Sequence, residues 1–346
     1  MLPLVIAVLA LAAPQTAPSA QPDAETCLAC HSDPSMTIQT ADGSTVKLHV
    51  DAGRFGQSVH AKLTCVDCHA GMADIPHPSR TFRTPRELTA TYGEQCRRCH
   101  FANYTKTLDS VHQSAVSRGD RTAPLCVDCH GSHDIRKASQ QPRTDISETC
   151  ARCHEGVANA YRMSVHGRAL GTPASGDVPA CTDCHRAHDI AGPHQEQWEL
   201  RTPQLCGSCH ANEALMKKYG LSTAVLKTYL GDFHGKTASL RRTQGTTPTG
   251  PVVARCTDCH GVHDIQEADR PDSPVIKANL VTTCRKCHAD ANDNVPGAWL
   301  SHYEPSWKKA PLVYGVKVAY AVIIPFMIGG LGLQILLHLW RLMVNR

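Results

Sequence analysis

Apolar residues gather at the two ends of this chain, and the long stretch between them keeps little regular periodicity. Leu2 to Ala13 is an apolar run without Lys or Arg, followed by Pro14, Pro18 and small residues around Ala20. Such a run is too short to cross a bilayer, so residues 1–20 read as a secretory signal. Near the other end, Val318 to Trp340 is a run of 23 residues without a formal charge. At 1.5 Å per residue it covers about 35 Å, which predicts a transmembrane helix over 317–340. Lys308, Lys309 and Lys317 flank one side, Arg341 and Arg346 the other. Pro325 is a candidate kink, Gly329, Gly330 and Gly332 leave a smooth patch, and Gln334 and His338 share one face. Between the ends, Thr37 to Val50 alternates around Asp42-Gly43 and predicts a β-hairpin with His49 on its second strand. Ala211 to Leu230 has helical spacing with a break at Gly220, while Ser117–Pro124, Gly171–Pro179 and Thr243–Pro251 read as loops.

Composition sharpens this picture. The chain has 346 residues, 42% of them hydrophobic and only 5% aromatic, with 24 Gly and 22 Pro. That is little material for ordinary cores, so something other than side chains must fill the interior.

The cysteines say what. Nine copies of Cys-x-x-Cys-His, beginning at Cys27, Cys65, Cys96, Cys126, Cys150, Cys181, Cys206, Cys256 and Cys284, account for all 18. A zinc ribbon or a dithiol redox site uses Cys-x-x-Cys but needs no histidine after it. Haem c does: two thiols add across the vinyl groups and the next residue binds the iron. The pattern therefore predicts nine covalently attached haems, with thioethers at Cys27 and Cys30, Cys65 and Cys68, Cys96 and Cys99, Cys126 and Cys129, Cys150 and Cys153, Cys181 and Cys184, Cys206 and Cys209, Cys256 and Cys259, and Cys284 and Cys287. The proximal ligands are His31, His69, His100, His130, His154, His185, His210, His260 and His288. Propionates also move the formal charge from +4 to about −5, and no basic tract of nucleic-acid type is present.

The motifs alternate, which exposes a two-haem repeat. CVDCH at Cys65 and Cys126 and CTDCH at Cys181 and Cys256 carry Asp before the second Cys; the other five do not. Three of the Asp-type motifs run on into HDI, giving His133, His188 and His263, and His77 in CHAGMADIPH is the displaced counterpart, with Met72 as a rival. Between motif kinds lie SVH at His60, His112 and His166, DFH at His234 and LSH at His302. These nine are candidate distal ligands, one per iron, which closes every iron for electron transfer. An HDI histidine is too near its own proximal ligand to reach round the same haem, so it should ligate a neighbour. Asp134, Asp189 and Asp264 either orient those histidines or cap turns. The repeat, running four and a half times over 21–305, shows no linker that would divide it.

The text resembles the bacterial doubled-CxxCH multihaem cytochromes c with a membrane anchor, over almost all of Cys27 to His302. The resemblance implies bis-histidine haems stacked in a chain and electron exchange with membrane quinol, directly or through a cytochrome b partner, and with periplasmic redox proteins. Its quinol dehydrogenase members carry the anchor at the amino terminus, so their quinol-site geometry does not transfer. The expected fold is mostly α with extensive loops, a haem-stacked core, a small hairpin and one carboxyl-terminal transmembrane helix. The expected place is the bacterial inner membrane with the haem domain in the periplasm. The Cys284 haem should be nearest the bilayer and the Cys27 haem farthest from it. His338 is a candidate contact for a quinone, a partner helix or a b-type haem. A catalytic oxidoreductase for nitrogen or sulfur oxyanions is the alternative, and it needs an open iron.

Overall fold

The structure is a computed structural model that describes residues 22–192, 196–244, 253–299 and 302–344. The expected signal and most of the Thr243–Pro251 loop lie outside the described residues. The chain separates into two compact units. One holds the described residues up to Pro142 together with His188–Ile190, and the other holds Arg143–Ala187 with the rest of the chain from Ala191.

Both units are built from short helices joined by turns, and the reason is local. Each Asp-type motif forms one helical turn whose aspartate closes the first turn by accepting the amide of the residue before the first cysteine. Thr64 N–H donates to Asp67 at 2.8 Å, Leu125 to Asp128 at 2.6 Å, Ala180 to Asp183 at 2.6 Å and Arg255 to Asp258 at 2.8 Å. This is half of a capping box, and it explains the alternation of motif kinds. A left-handed residue then ends three of these turns: Gly131 at φ +75°, Gly261 at φ +84° and, in the third repeat, Arg186 at φ +64°. Glycine takes that conformation without cost and arginine does not.

The hairpin is shorter than the alternation predicts. Strand β1, Thr37–Gln39, pairs antiparallel with β2, Thr45–Lys47, with Ile38 opposite Val46. His49 falls beyond β2 because the chain bends back there, Val50 N–H donating to the His31 carbonyl at 2.7 Å. The segment Ala211–Leu230 is helical in two pieces, Glu213–Lys217 and the start of Val225–Gly231, with Gly220 at φ +65° in the break. The final helix, Pro311–Val344, passes through Pro325 and is long and apolar enough to cross a membrane.

Conventional cores are thin. Ten apolar side chains are buried among the described residues, and five are alanines: Ala123, Ala158, Ala180, Ala238 and Ala291. The motif cysteines and histidines lie outside these small cores, half-buried or exposed.

Candidate haem-binding sites

Ring pairs organise both units. Within the first, His31 faces His77 at 6.2 Å between ring centres, His60 faces His100 at 5.9 Å, His69 faces His133 at 6.0 Å and His130 faces His188 at 5.9 Å. Within the second, His166 faces His210 at 6.2 Å, His185 faces His263 at 5.9 Å, His234 faces His288 at 6.2 Å and His260 faces His302 at 6.2 Å. Each of these eight pairs joins a CxxCH histidine to one from the second set. The remaining members, His112 and His154, lie in different units.

The spacing has a chemical meaning. Two metal–nitrogen bonds of about 2 Å, plus about 1.1 Å from each nitrogen to its ring centre, put two imidazoles about 6.2 Å apart across one ion. Aromatic pairs in general span about 4.5–7 Å between centres, so the mark of a shared ion is the recurrence of one narrow separation, 5.9–6.2 Å, in all eight of these pairs. The residues present therefore fit an iron held between two histidines. Burial also keeps several of these rings neutral, the form that binds metal: desolvation lowers His69, His166 and His260 to about 4.

Two kinds of pair occur. The ring planes are 16–22° apart where the second histidine is His77, His133, His188, His263 or His302, and 49–53° apart where it is His60, His166 or His234. His302 thus stands opposite an Asp-type motif, as the HDI histidines do, although its LSH spelling groups it with SVH. The last repeat lacks an HDI element, and the segment leading to the final helix supplies the ring.

Backbone contacts fix these rings. Val59 N–H donates to the Ile135 carbonyl at 2.9 Å, Val111 to Ile190 at 2.9 Å and Val165 to Ile265 at 2.8 Å, so each SVH is stitched to an HDI of a later motif. The buried Ser58 and Ser110 hydroxyls accept the amides of His60 and His112, each at 3.2 Å, and Ser164 accepts that of Gly167 at 3.0 Å. In DFH, Asp232 replaces the serine and accepts Gly235 N–H at 2.9 Å. Asp264 accepts Val262 N–H at 3.2 Å and so caps its turn.

The thiols link neighbouring motifs. First cysteines hydrogen-bond in pairs: Cys27 with Cys65, Cys96 with Cys126, Cys150 with Cys181 and Cys206 with Cys256. That bond pushes Cys96 and Cys206 up, while Cys126 and Cys181 drop to about 6. Second cysteines reach the following motif, Cys68 lying within electrostatic range of Cys99, Cys184 of Cys209 and Cys259 of Cys284. Two arginines brace these pairs. Arg86 joins Asp128 at 2.6 Å and the Ala123 carbonyl, and Arg143 joins Asp183 and the Val178 carbonyl. Within each unit the motifs are consequently neighbours in chain order, four in one unit and five in the other. Neither the bracing arginines nor the class of His302 was legible from spacing alone.

Residues 120–211 match the cytochrome c3 family model and residues 9–80 match the amino-terminal region of the NapC/NirT cytochrome c family. These matches support a place for the chain among the bacterial multihaem cytochromes c. The chain is also 25% identical over 199 residues to the multiheme cytochrome MtrA of Shewanella baltica (strain OS185), a match covering 55% of the chain. The match spans about half, 53%, of that relative's length. No solved structure matches the chain. Covalently bound haem and electron transfer are what these similarities support, and the carboxyl-terminal helix is long and apolar enough to cross a membrane.

Proposed function

We propose that the cytochrome carries nine bis-histidine haems and conducts electrons between membrane quinol, directly or through a cytochrome b subunit, and periplasmic redox proteins. The observation that carries this reading is the set of eight cross-paired histidines at iron-spanning distance. Each CxxCH supplies two thioethers and a proximal imidazole, and His60, His77, His112, His133, His166, His188, His234, His263 and His302 supply the distal ones. When bound, haem supplies one-electron chemistry at a six-coordinate iron. The protein's part is to place rings, keep them neutral and bring neighbouring motifs into contact, which favours rapid transfer along the chain.

Export of the haem region puts the carboxyl end of the final helix in the cytoplasm. Eight residues, Tyr303 to Ala310, separate His302 from the start of that helix at Pro311. They are held on the protein side, since Lys227 pairs with Glu304 at 2.5 Å and the Thr228 hydroxyl lies 3.4 Å from His302 Nδ1. This tether supports the Cys256 site as the membrane-facing one, in place of the Cys284 site expected from chain order, because His302 faces His260. Gly329, Gly330 and Gly332 offer a partner helix close approach.

Cutting the chain after Pro305 tests the proposal. The fragment should stay soluble and accept electrons from dithionite but not from membrane quinol. Reduction by membranes at the full-length rate would reduce the helix to a tether and refute the quinol route.

A further inference from the structure

His77 is held unlike every other distal candidate. It is exposed, whereas His60, His112, His133, His166, His188, His234, His263 and His302 are half-buried. SVH and HDI elements are stitched together by the valine–isoleucine bonds and the serine caps, DFH has its Asp232 cap, and His302 packs against Trp299 at 6.0 Å. Among the described residues, 73–81 make no backbone–backbone hydrogen bond. Besides the ring pair with His31, the contacts this segment makes with described residues are Arg80 donating to the Ala70 carbonyl at 3.2 Å and a marginal 3.5 Å approach of His77 Nδ1 to its neighbour's carbonyl at Pro78. The opposite ring is better placed: His31 Nδ1 lies 3.0 Å from the Leu48 carbonyl, at the end of the hairpin.

A ligand's residence on a metal depends on the local stability of the segment that presents it, because dissociation requires that segment to move. Each missing anchoring hydrogen bond raises the population of the open form roughly fivefold, so the absence of two raises it on the order of 30-fold.

From this we infer that the Cys27/Cys30 site is a ligand-binding site, in which His77 yields its position on ferrous iron to small π-accepting molecules such as carbon monoxide or nitric oxide. The inference rests on the bis-histidine reading above and adds an exchangeable position at the end of the chain of motifs remote from the membrane helix in sequence. With haem bound, His77 would be the residue that gives way: its imidazole would leave neutral as the incoming molecule's lone pair takes the vacated position, with no electron or proton consumed. Its neighbours stay closed because their rings cannot swing away without breaking the backbone contacts that fix them.

The test uses the full-length, haem-loaded protein in detergent, reduced with dithionite and exposed to carbon monoxide. Visible spectra should report slow uptake of one molecule per protein. In His77→Ala, combined with Met72→Ala so that the thioether cannot take the vacated place, the same stoichiometry should be reached at least about tenfold faster. The oxidised variant should show one high-spin haem by electron paramagnetic resonance. No uptake by the wild-type protein would overturn the inference, and so would uptake whose rate the variant leaves unchanged. A variant that stays wholly low-spin would overturn it by removing His77 from the ligand set. None of these outcomes bears on quinol oxidation, which the Pro305 truncation tests separately.

Discussion

The His260 and His302 rings stand 6.2 Å apart with their planes 19° from parallel. One belongs to a CTDCH motif, and the other precedes the membrane helix by a short, pinned segment. The segment that leads into the apolar helix thus also supplies one ring of a proposed haem site, which would link ligation at that site to the position of the helix. A Gly-Ser insertion between Glu304 and Trp307 should leave ligation by His302 intact, because the pinning contacts precede it. It should still slow reduction by quinol in proteoliposomes, measured by stopped-flow spectroscopy. An unchanged rate would place the electron route elsewhere.

Nine intact motifs predict nine haem additions to the processed chain. Intact-mass measurement after denaturation reads that number directly, and seven or fewer additions would refute the assignment.

The two families of ring-plane angle should be visible as two low-spin populations. Near-parallel and strongly tilted imidazole pairs split the iron d orbitals differently. The electron paramagnetic resonance spectrum of the oxidised protein should therefore resolve the near-parallel class from the tilted one, with five and three members among the eight pairs. A single homogeneous signal would contradict the structure.

Glycine after the distal histidine is required twice. A Cβ on Gly167 would lie 1.9 Å from the Tyr161 carbonyl oxygen, and on Gly235 2.0 Å from that of Tyr229. Gly167→Ala and Gly235→Ala should each destabilise by about 3 kcal/mol and displace the adjacent ring. One high-spin haem per variant is the expected spectroscopic result.

Arg186 offers the opposite change. It occupies φ +64°, ψ −174°, where Gly131 and Gly261 stand in the sister repeats. Arg186→Gly should stabilise the protein by about 1 kcal/mol, since the relieved strain exceeds the added chain entropy. A higher midpoint in denaturant melts of the haem-loaded protein would show it.

Covalent and short-range features were legible without coordinates. The CxxCH motifs and their alternation, the hairpin turn at Asp42-Gly43 and the apolar run of the final helix each depend on residues within a turn or on a simple count. The repeat also separated ligand candidates from His49, which lies off β2 and, among the described residues, outside the histidine ring pairs. Tertiary structure decided which ring faces which. His69 and His133, or His185 and His263, are brought together by contacts such as Val59 to Ile135 and Val165 to Ile265. His302 reads as SVH-like by its neighbours yet stands where an HDI histidine would, because partnership depends on where the chain returns in space. The exposure of His77 likewise follows from contacts that its loop does not make, and a sequence does not spell out missing contacts.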